Sequence, residues 1–261
     1  MKVAIELYGQ PRYIKESYEY GWKKFIQKYN ADVYIHSWFD NTKTSEVFKH
    51  YKGHDEPVSD EITQNTLKNE IEIYNPVAFR YDPPPNFEKI MHRFANKHSR
   101  ADQALYGQNL SAYYADQLRI STQRKYDVIL KSRMDIVITE LDIDVVAENT
   151  IKIPYMFLKP AMMNPALDHW ALGSPEVISK SCNLVHKLDH FISKGMPVQA
   201  EFLVHLNLID EKVNIERVPY NYVLTRQYIT QGNIVATANQ HIDHYDVSHR
   251  IRQDYLKQKS L

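Results

Sequence analysis

The sequence predicts an α/β fold in which a mostly parallel central sheet is flanked by helices. Two observations carry that expectation. The run Lys2–Tyr8 is strand-like, helical spacing follows at Tyr18, Trp22, Phe25, Ile26 and Tyr29, and a second strand-like run spans Asp32–Trp38; strand–helix–strand is the unit of a parallel sheet. Further on, a helical pattern from about Gln108 to Tyr126 leads into the short apolar run Val128–Leu130, which reads as a buried strand. That run breaks into charge from Lys131 to Asp135 before apolar residues resume at Ile136. Open parallel sheets bind ligands beyond the carboxyl ends of their strands, so Arg133 and Asp135 stand where chemistry is expected.

The remaining elements follow in order. Gly9-Gln10-Pro11-Arg12 ends the first strand, a helix spans about Tyr13 to Tyr29, and Asn30-Ala31 closes it. Residues 42–61 are polar and weakly patterned and are expected to form a loop. Ile62–Ile71 is expected to be helical, Ile73–Tyr81 to contain a third strand ended by three prolines, and Phe87–Phe94 to be helical. The core face of the helix after Gln108 is expected at Leu110, Tyr114, Leu118 and Ser121. Beyond the central strand, Leu141, Ile143 and Val145 alternate with acids and are expected to face inward. Thr150–Pro154 and Asp168–Gly173 are expected to be strands, with a loop at Pro160–Leu167 between them. Ser174-Pro175 has the residues of a helix start, a serine cap with proline at the first position. A helix at Val198–Ile209 and a strand at Val213–Val218 complete one domain over residues 1–230, with a polar tail at 231–261.

Composition narrows the function classes. The chain has 32 basic and 32 acidic side chains, so no global charge favours nucleic acid or an acidic membrane. Its single cysteine, Cys182, excludes an intramolecular disulfide and a multi-cysteine metal site, and is expected to be a small buried hydrophobe. Met1–Leu7 enters directly into a strand-like run without the apolar region of a secretory signal, and no stretch approaches the roughly 18 apolar residues of a membrane span. The expected location is the cytoplasm.

Among candidate site residues, Asp135 is the sharpest. A carboxylate just past a strand end can hold Mg2+ or Mn2+ against a pyrophosphate, because these hard ions prefer oxygen ligands. Arg133 can pair with a phosphate or orient that carboxylate; an ion pair at a sheet edge is the plainer alternative. The literal Asp142-Ile143-Asp144 is better read as a solvated face. Gly9, Gln10 and Arg12 end the first strand, where α/β proteins seat nucleotides, but glycine-rich dinucleotide and Walker motifs are missing. Trp38 and Asp40 follow the second strand and suit a base and a ribose, although Trp38 equally suits a core. Asp168 and Glu201 are carboxylates that could act as a general base beside a cleft. His205 shares a helix face with Glu201, and His241, His244 and His249 lie in the tail, a weak metal signal.

The order and spacing of Gly9-Gln10-Pro11-Arg12, Asp32–Trp38, Tyr126–Ile129 with Arg133-Met134-Asp135-Ile136, Asp168–Gly173 and the helix near Glu201 resemble GT-A-type glycosyltransferases. Such enzymes occur in capsule and lipopolysaccharide clusters and in large viruses. The resemblance spans about residues 2–226 and implies a Rossmann-like GT-A domain in polysaccharide biosynthesis, binding a nucleotide-diphospho-sugar. It implies that Gly9, Gln10, Arg12, Trp38, Asp40 and Arg133 hold the donor, that Asp135 contacts metal or sugar nucleotide, and that Asp168 and Glu201 face acceptor and donor sugar. The acceptor is a glycan or a lipid-linked glycan, which leaves peripheral membrane association open. Arginine at the first position of the usual Asp-x-Asp removes one metal carboxylate and puts Mn2+ or Mg2+ dependence in question. The alternatives are a non-catalytic nucleotide-sugar-binding scaffold and a sugar nucleotidyltransferase. The short, glycine-poor turn at Gly9 counts against the second.

Overall fold

A computed structural model describes residues 1–39, 64–85, 100–138, 141–155, 168–196, 200–219 and 222–224. Strands β1 (Val3–Gly9), β2 (Asp32–Trp38), β3 (Ala78–Asp82) and β4 (Val128–Arg133) run parallel, with β1 between β2 and β4. β6 (Thr150–Tyr155), β7 (Trp170–Gly173) and β8 (Asn214–Pro219) extend the sheet to seven strands in the order β3-β2-β1-β4-β7-β6-β8. β7 runs antiparallel to β4 and β6, while β6 and β8 pair in parallel. The expected α/β class with a mostly parallel sheet therefore holds, with one reversed strand. β5 (Ile136–Ile138) and β9 (Tyr222–Leu224) form a separate antiparallel pair.

Strand alternation sorts side chains to two faces. Val3, Ile5 and Leu7 of β1, with Val33, Ile35, Val128 and Leu130, pack against α1 (Ile14–Ser17), α2 (Lys23–Tyr29) and α3 (Gln64–Glu72). Between α1 and α2 the helix widens into a π turn, Tyr18–Trp22, and Asn30 closes α2 in the left-handed region at φ 46°. On the opposite face, Ala4, Tyr8, Tyr34 and Ile129 meet α4 (Arg100–Ser121), α5 (Pro175–Cys182) and α7 (Ala200–Asp210). α6 (Leu184–Ser193) packs Leu184, Leu188 and Phe191 against Phe202, Leu203 and Leu206 of α7. Ser174 caps α5 by accepting the Val177 N–H, as its sequence predicts.

The buried face of α4 differs from the expected one. Ser111, Ala112, Ala115, Asp116 and Arg119 are buried, whereas Ser121 is exposed and Leu110, Tyr114 and Leu118 are half-buried. The cause lies on β1, which turns Glu6 towards α4: Arg119 Nε donates to Glu6 Oε1 at 2.5 Å and Arg119 also pairs with Asp116. Asp116 in turn accepts from Ser179, at 2.9 Å. A buried carboxylate requires such partners, so the polar stripe of α4 faces the sheet and its leucines sit to the side. Val145 also departs from expectation, being exposed while Ile143 and Val146 are buried. Asp142 and Asp144 lie outward, paired with Lys28 and Lys152. The expected loops at 42–61 and 160–167, the helix at 87–94, Asp40 and the tail at 231–261 lie outside the described residues.

Candidate functional site

The carboxyl ends of β1 and β4 converge on the Arg133-Met134-Asp135 turn. β4 reaches Arg133, three residues further than its apolar run, because Lys131 and Ser132 continue the ladder beside Glu6 and Leu7 of β1. Two backbone bonds and one from a side chain then fix the turn on three sides. Arg133 N–H donates to His169 O at 2.9 Å, Met134 N–H to Tyr8 O at 3.0 Å, and the Trp22 indole to Met134 O at 3.3 Å. Met134 is fully buried. Arg133 and Asp135 project from this clamp as a forked pair, Nε to Oδ1 at 2.8 Å and Nη2 to Oδ2 at 2.7 Å.

The electrostatics of the turn favour charge. Burial works against the Asp135 carboxylate, but Arg133, then Arg12 and His169, hold it down at about 2. Arg12 and Asp135, 123 residues apart, therefore belong to one field. Arg133 remains charged: its burial is opposed by Asp135 and, more weakly, by Asp168 and Tyr8.

Asp168 and Glu201 come together at the same place. Asp168 sits just before β7, where Tyr8 Oη donates to its carbonyl at 2.9 Å and Gln108 Nε2 to its Oδ2 at 2.5 Å. Glu201, in the first turn of α7, is raised to about 7 by burial and then by Asp168, against a backbone hydrogen bond and Arg133. Such a carboxyl is poised to exchange a proton near neutral pH. His169 lies beside Asp168 and acts on Asp135, with Nε2 4.0 Å from Asp168 Oδ1 and Nδ1 hydrogen-bonded to Tyr222 Oη of β9. The sequence singled out neither Tyr8, Gln108 nor His169. The signal available for His169 was its place beside Asp168 at the entry to a strand.

A water-sized cavity of about 10 Å3 lies between β1, β4, β7 and α4, lined by Tyr8, Gln108, Lys131, Asp168, Trp170 and Ser181. Trp38 and His205 fall apart from this centre. Trp38 is 5% exposed, its indole donates to Gly107 O at 3.2 Å and its ring meets His36 and Tyr114, so it belongs to the core rather than to a base-stacking platform. Gly9 ends β1 at φ 117° and Gln10 follows it, at the carboxyl end of β1 that borders the centre. His205 is buried on α7, and the tail histidines lie outside the described residues.

The arrangement suits a divalent cation poorly at Asp135, since both of its oxygens accept from Arg133 and Arg12 adds further positive charge beside it. Among the described residues, three potential ligands cluster only at Glu6, Asp116 and Cys182. There the Arg119 guanidinium already bonds both carboxylates, so positive charge is in place without a metal. Burial pushes the Cys182 thiol well above its ordinary range, as expected of a buried hydrophobe. No helix among the described residues is long and apolar enough to cross a membrane. No protein-family model matches the chain, and no curated protein matches it in sequence.

Proposed function

We propose that the chain is a glycosyltransferase of GT-A type, moving a sugar from a nucleotide-diphospho-sugar to a hydroxyl of a glycan or lipid-linked glycan. The observation that carries this reading is the convergence of Arg12, Arg133, Asp135, Asp168 and Glu201 at the carboxyl ends of β1 and β4. Two arginines supply fixed positive charge where a diphosphate leaving group would develop negative charge. Two carboxyl groups, one near neutrality, supply a proton acceptor.

In the inverting form of the reaction the acceptor oxygen attacks the anomeric carbon and its proton passes to Glu201 or Asp168. The bond from that carbon to the diphosphate breaks, and its electron pair stays on the departing oxygen beside Arg133 and Arg12. Charge from arginine replaces what Mn2+ or Mg2+ provides where an Asp-x-Asp is present, so the proposed transfer needs no metal at Asp135. A cytoplasmic enzyme of polysaccharide biosynthesis, touching the membrane only through its acceptor, fits this reading.

The test is a thermal-shift panel of UDP-, GDP-, CMP- and dTDP-sugars with and without Mn2+, followed by product analysis with the donor that binds. Binding to the folded state raises apparent stability by mass action. One donor is expected to shift the transition without Mn2+, to lose the shift in Asp135→Ala, and to yield product in wild type but not in Glu201→Gln. A shift that appears only with Mn2+ overturns the arginine-only account. The closed Arg133–Asp135 fork favours one second reading, a nucleotide-sugar-binding protein that transfers nothing; binding without product from any acceptor would establish it.

A further inference from the structure

Gly9 is held at both of its backbone polar groups by serines from other elements. Its N–H donates to Ser111 Oγ of α4 at 2.9 Å, and its carbonyl accepts from Ser37 Oγ of β2 at 3.1 Å. Ser111 is fully buried and lies 2.7 Å from Nδ1 of His36. The other ring nitrogen of His36, Nε2, lies 3.0 Å from Asp82 Oδ2 at the end of β3. Asp82 is anchored by Arg80 at 2.6 Å, and Arg80 lies over the Tyr114 ring at 4.7 Å. One polar line thus runs from the end of β3, through β2 and α4, to the end of β1.

Serine, histidine and aspartate in a row suggest a hydrolytic triad, but the geometry excludes it. Ser111 has no exposed surface, and its oxygen is already occupied by the Gly9 N–H. A nucleophile must reach a substrate carbon, and this one cannot.

The line has a fixed proton order. Burial lowers His36 to about 4, against the pull of Asp82, so the ring is neutral at physiological pH. A neutral ring carries one proton. With Nε2–H donating to Asp82, Nδ1 is an acceptor, and the Ser111 hydroxyl gives its one proton to Nδ1 at 2.7 Å in preference to the His36 carbonyl at 3.3 Å. The Ser111 oxygen is then left with lone pairs for the Gly9 N–H. Had the ring carried the proton on Nδ1, Nε2 would face the Asp82 carboxylate lone pair to lone pair.

We infer that Asp82, His36 and Ser111 are positioning residues whose task is to fix the Gly9–Arg12 turn for the diphosphate of the donor. The inference rests on the glycosyltransferase reading for its ligand but not for its geometry. Gly9 at φ 117° and Tyr13 at φ 51° both take left-handed angles, which are costly for Tyr13. A turn of that kind keeps one conformation only when its surroundings over-determine it. Arg12 lies in this turn and its charge helps to hold the Asp135 carboxyl down, so locking Gly9 helps to place one of the two cations of the site. Ser37 and His36 are neighbours on β2, and alternation sends them to opposite faces; Gly9 is gripped from both.

The experiment reads the turn directly, using the full chain without ligand. Amide hydrogen exchange at Gly9–Arg12 and the 15N signals of His36 are recorded in wild type, Ser111→Ala and Asp82→Asn. The inference expects His36 as the neutral Nε2–H tautomer from pH 5.5 to 8. It expects Gly9 exchange to rise by about tenfold in Ser111→Ala, the worth of one hydrogen bond, with the sheet amides of β1 before Leu7 unchanged. Asn in place of Asp82 still accepts from Nε2–H, so that variant should keep most of the protection, and it remains informative should Ser111→Ala not fold. Unchanged Gly9 exchange in Ser111→Ala, or an Nδ1–H tautomer in wild type, overturns it. A titration of UDP, GDP, CDP and dTDP then separates the two claims. Loss of diphosphate affinity in Ser111→Ala supports the assigned task. Equal diphosphate affinity in both proteins overturns that task, and failure of every diphosphate to bind wild type overturns both the task and the glycosyltransferase reading, while the tautomer and exchange results stand as a property of the fold.

Discussion

Arg133 and Asp135 share two parallel hydrogen bonds across a single intervening residue, and that residue, Met134, is clamped by Tyr8 and Trp22. Side chains two apart already share a face of a strand, and the turn at Met134-Asp135 draws them closer than extended backbone would, which is why the spacing can close a fork. The pair is mostly shielded, with side-chain exposures of 22% and 17%.

Breaking the fork from one side should be costly. Asp135→Asn leaves the Arg133 charge without its counter-ion, and urea denaturation at pH 7 should show a loss of about 3 kcal/mol. Replacing both residues by apolar ones should cost less than the sum of the single changes, because no lone charge remains. The pH dependence has a definite sign. Asp135 is lowered from 3.8 to about 2 on folding, so its contribution is present above about pH 4 and is lost as the pH falls through about 2. Wild type and Asp135→Asn should therefore converge in stability in strong acid.

Glu201 should show the opposite slope. Its carboxyl is raised from 4.5 to about 7, so the folded state holds a proton that the unfolded state has released across that interval. The stability this gives is present below about pH 4.5 and lost as the pH rises through about 7. Glu201→Gln should remove that slope from a denaturation series. If Glu201 is the base, kcat/KM should rise with an inflection near pH 7 and fall by at least about 100-fold in the glutamine variant.

The parts of this site that sequence made legible are those carried by local pattern. Arg133 and Asp135 stood out because charge interrupts an apolar run at a strand end, and Asp168 and Glu201 because they open elements. The Asp82–His36–Ser111 line was not legible. Its members lie 46 and 75 residues apart, and each sits in a stretch whose own periodicity explains it. Glu6 was hidden for a different reason. In Lys2–Tyr8 it takes a position that an alternating strand would give to solvent, and only the helix packed on that face shows otherwise. A faint signal existed: Glu6 is a charge inside one strand-like run and Lys131 directly follows another, and the sheet places them side by side in register.

The buried Glu6 cluster should tolerate loss of its negative charge. Burial, then Asp116, raises Glu6 from 4.5 to about 8, against Arg119 and Lys131. Stability from this group is present below about pH 4.5 and is lost as the pH rises through about 8. Glutamine mimics the protonated carboxyl, so Glu6→Gln should stay within about 1 kcal/mol of wild type at pH 6 and equal or exceed it at pH 9. Arg119→Met removes the cation instead, stranding Asp116, and should cost about 3–5 kcal/mol. Paired urea titrations at the two pH values decide between these outcomes.

The π turn supplies the last contact that sets the height of the Arg133–Asp135 turn above the sheet. Gly21 lies on the backbone of β5, and a Cβ there would stand 3.3 Å from both Ile136 O and Val137 Cα. Neither neighbour is a flexible side-chain end, so Gly21→Ala must push the helix and β5 apart. Overpacking of this kind costs about 1–3 kcal/mol. The displacement would also stretch the 3.3 Å bond from the Trp22 indole to Met134 O, coupling a helix contact to the site. Trp22→Phe deletes that bond while keeping an aromatic ring in the core, and should cost at least about 1 kcal/mol. The two effects share one target, so the double variant should lose less than their sum, and donor-dependent stabilisation should weaken in each. Strict additivity in denaturation would show that the π turn holds the core alone and leaves the Arg133–Asp135 turn to the two backbone bonds of Arg133 and Met134.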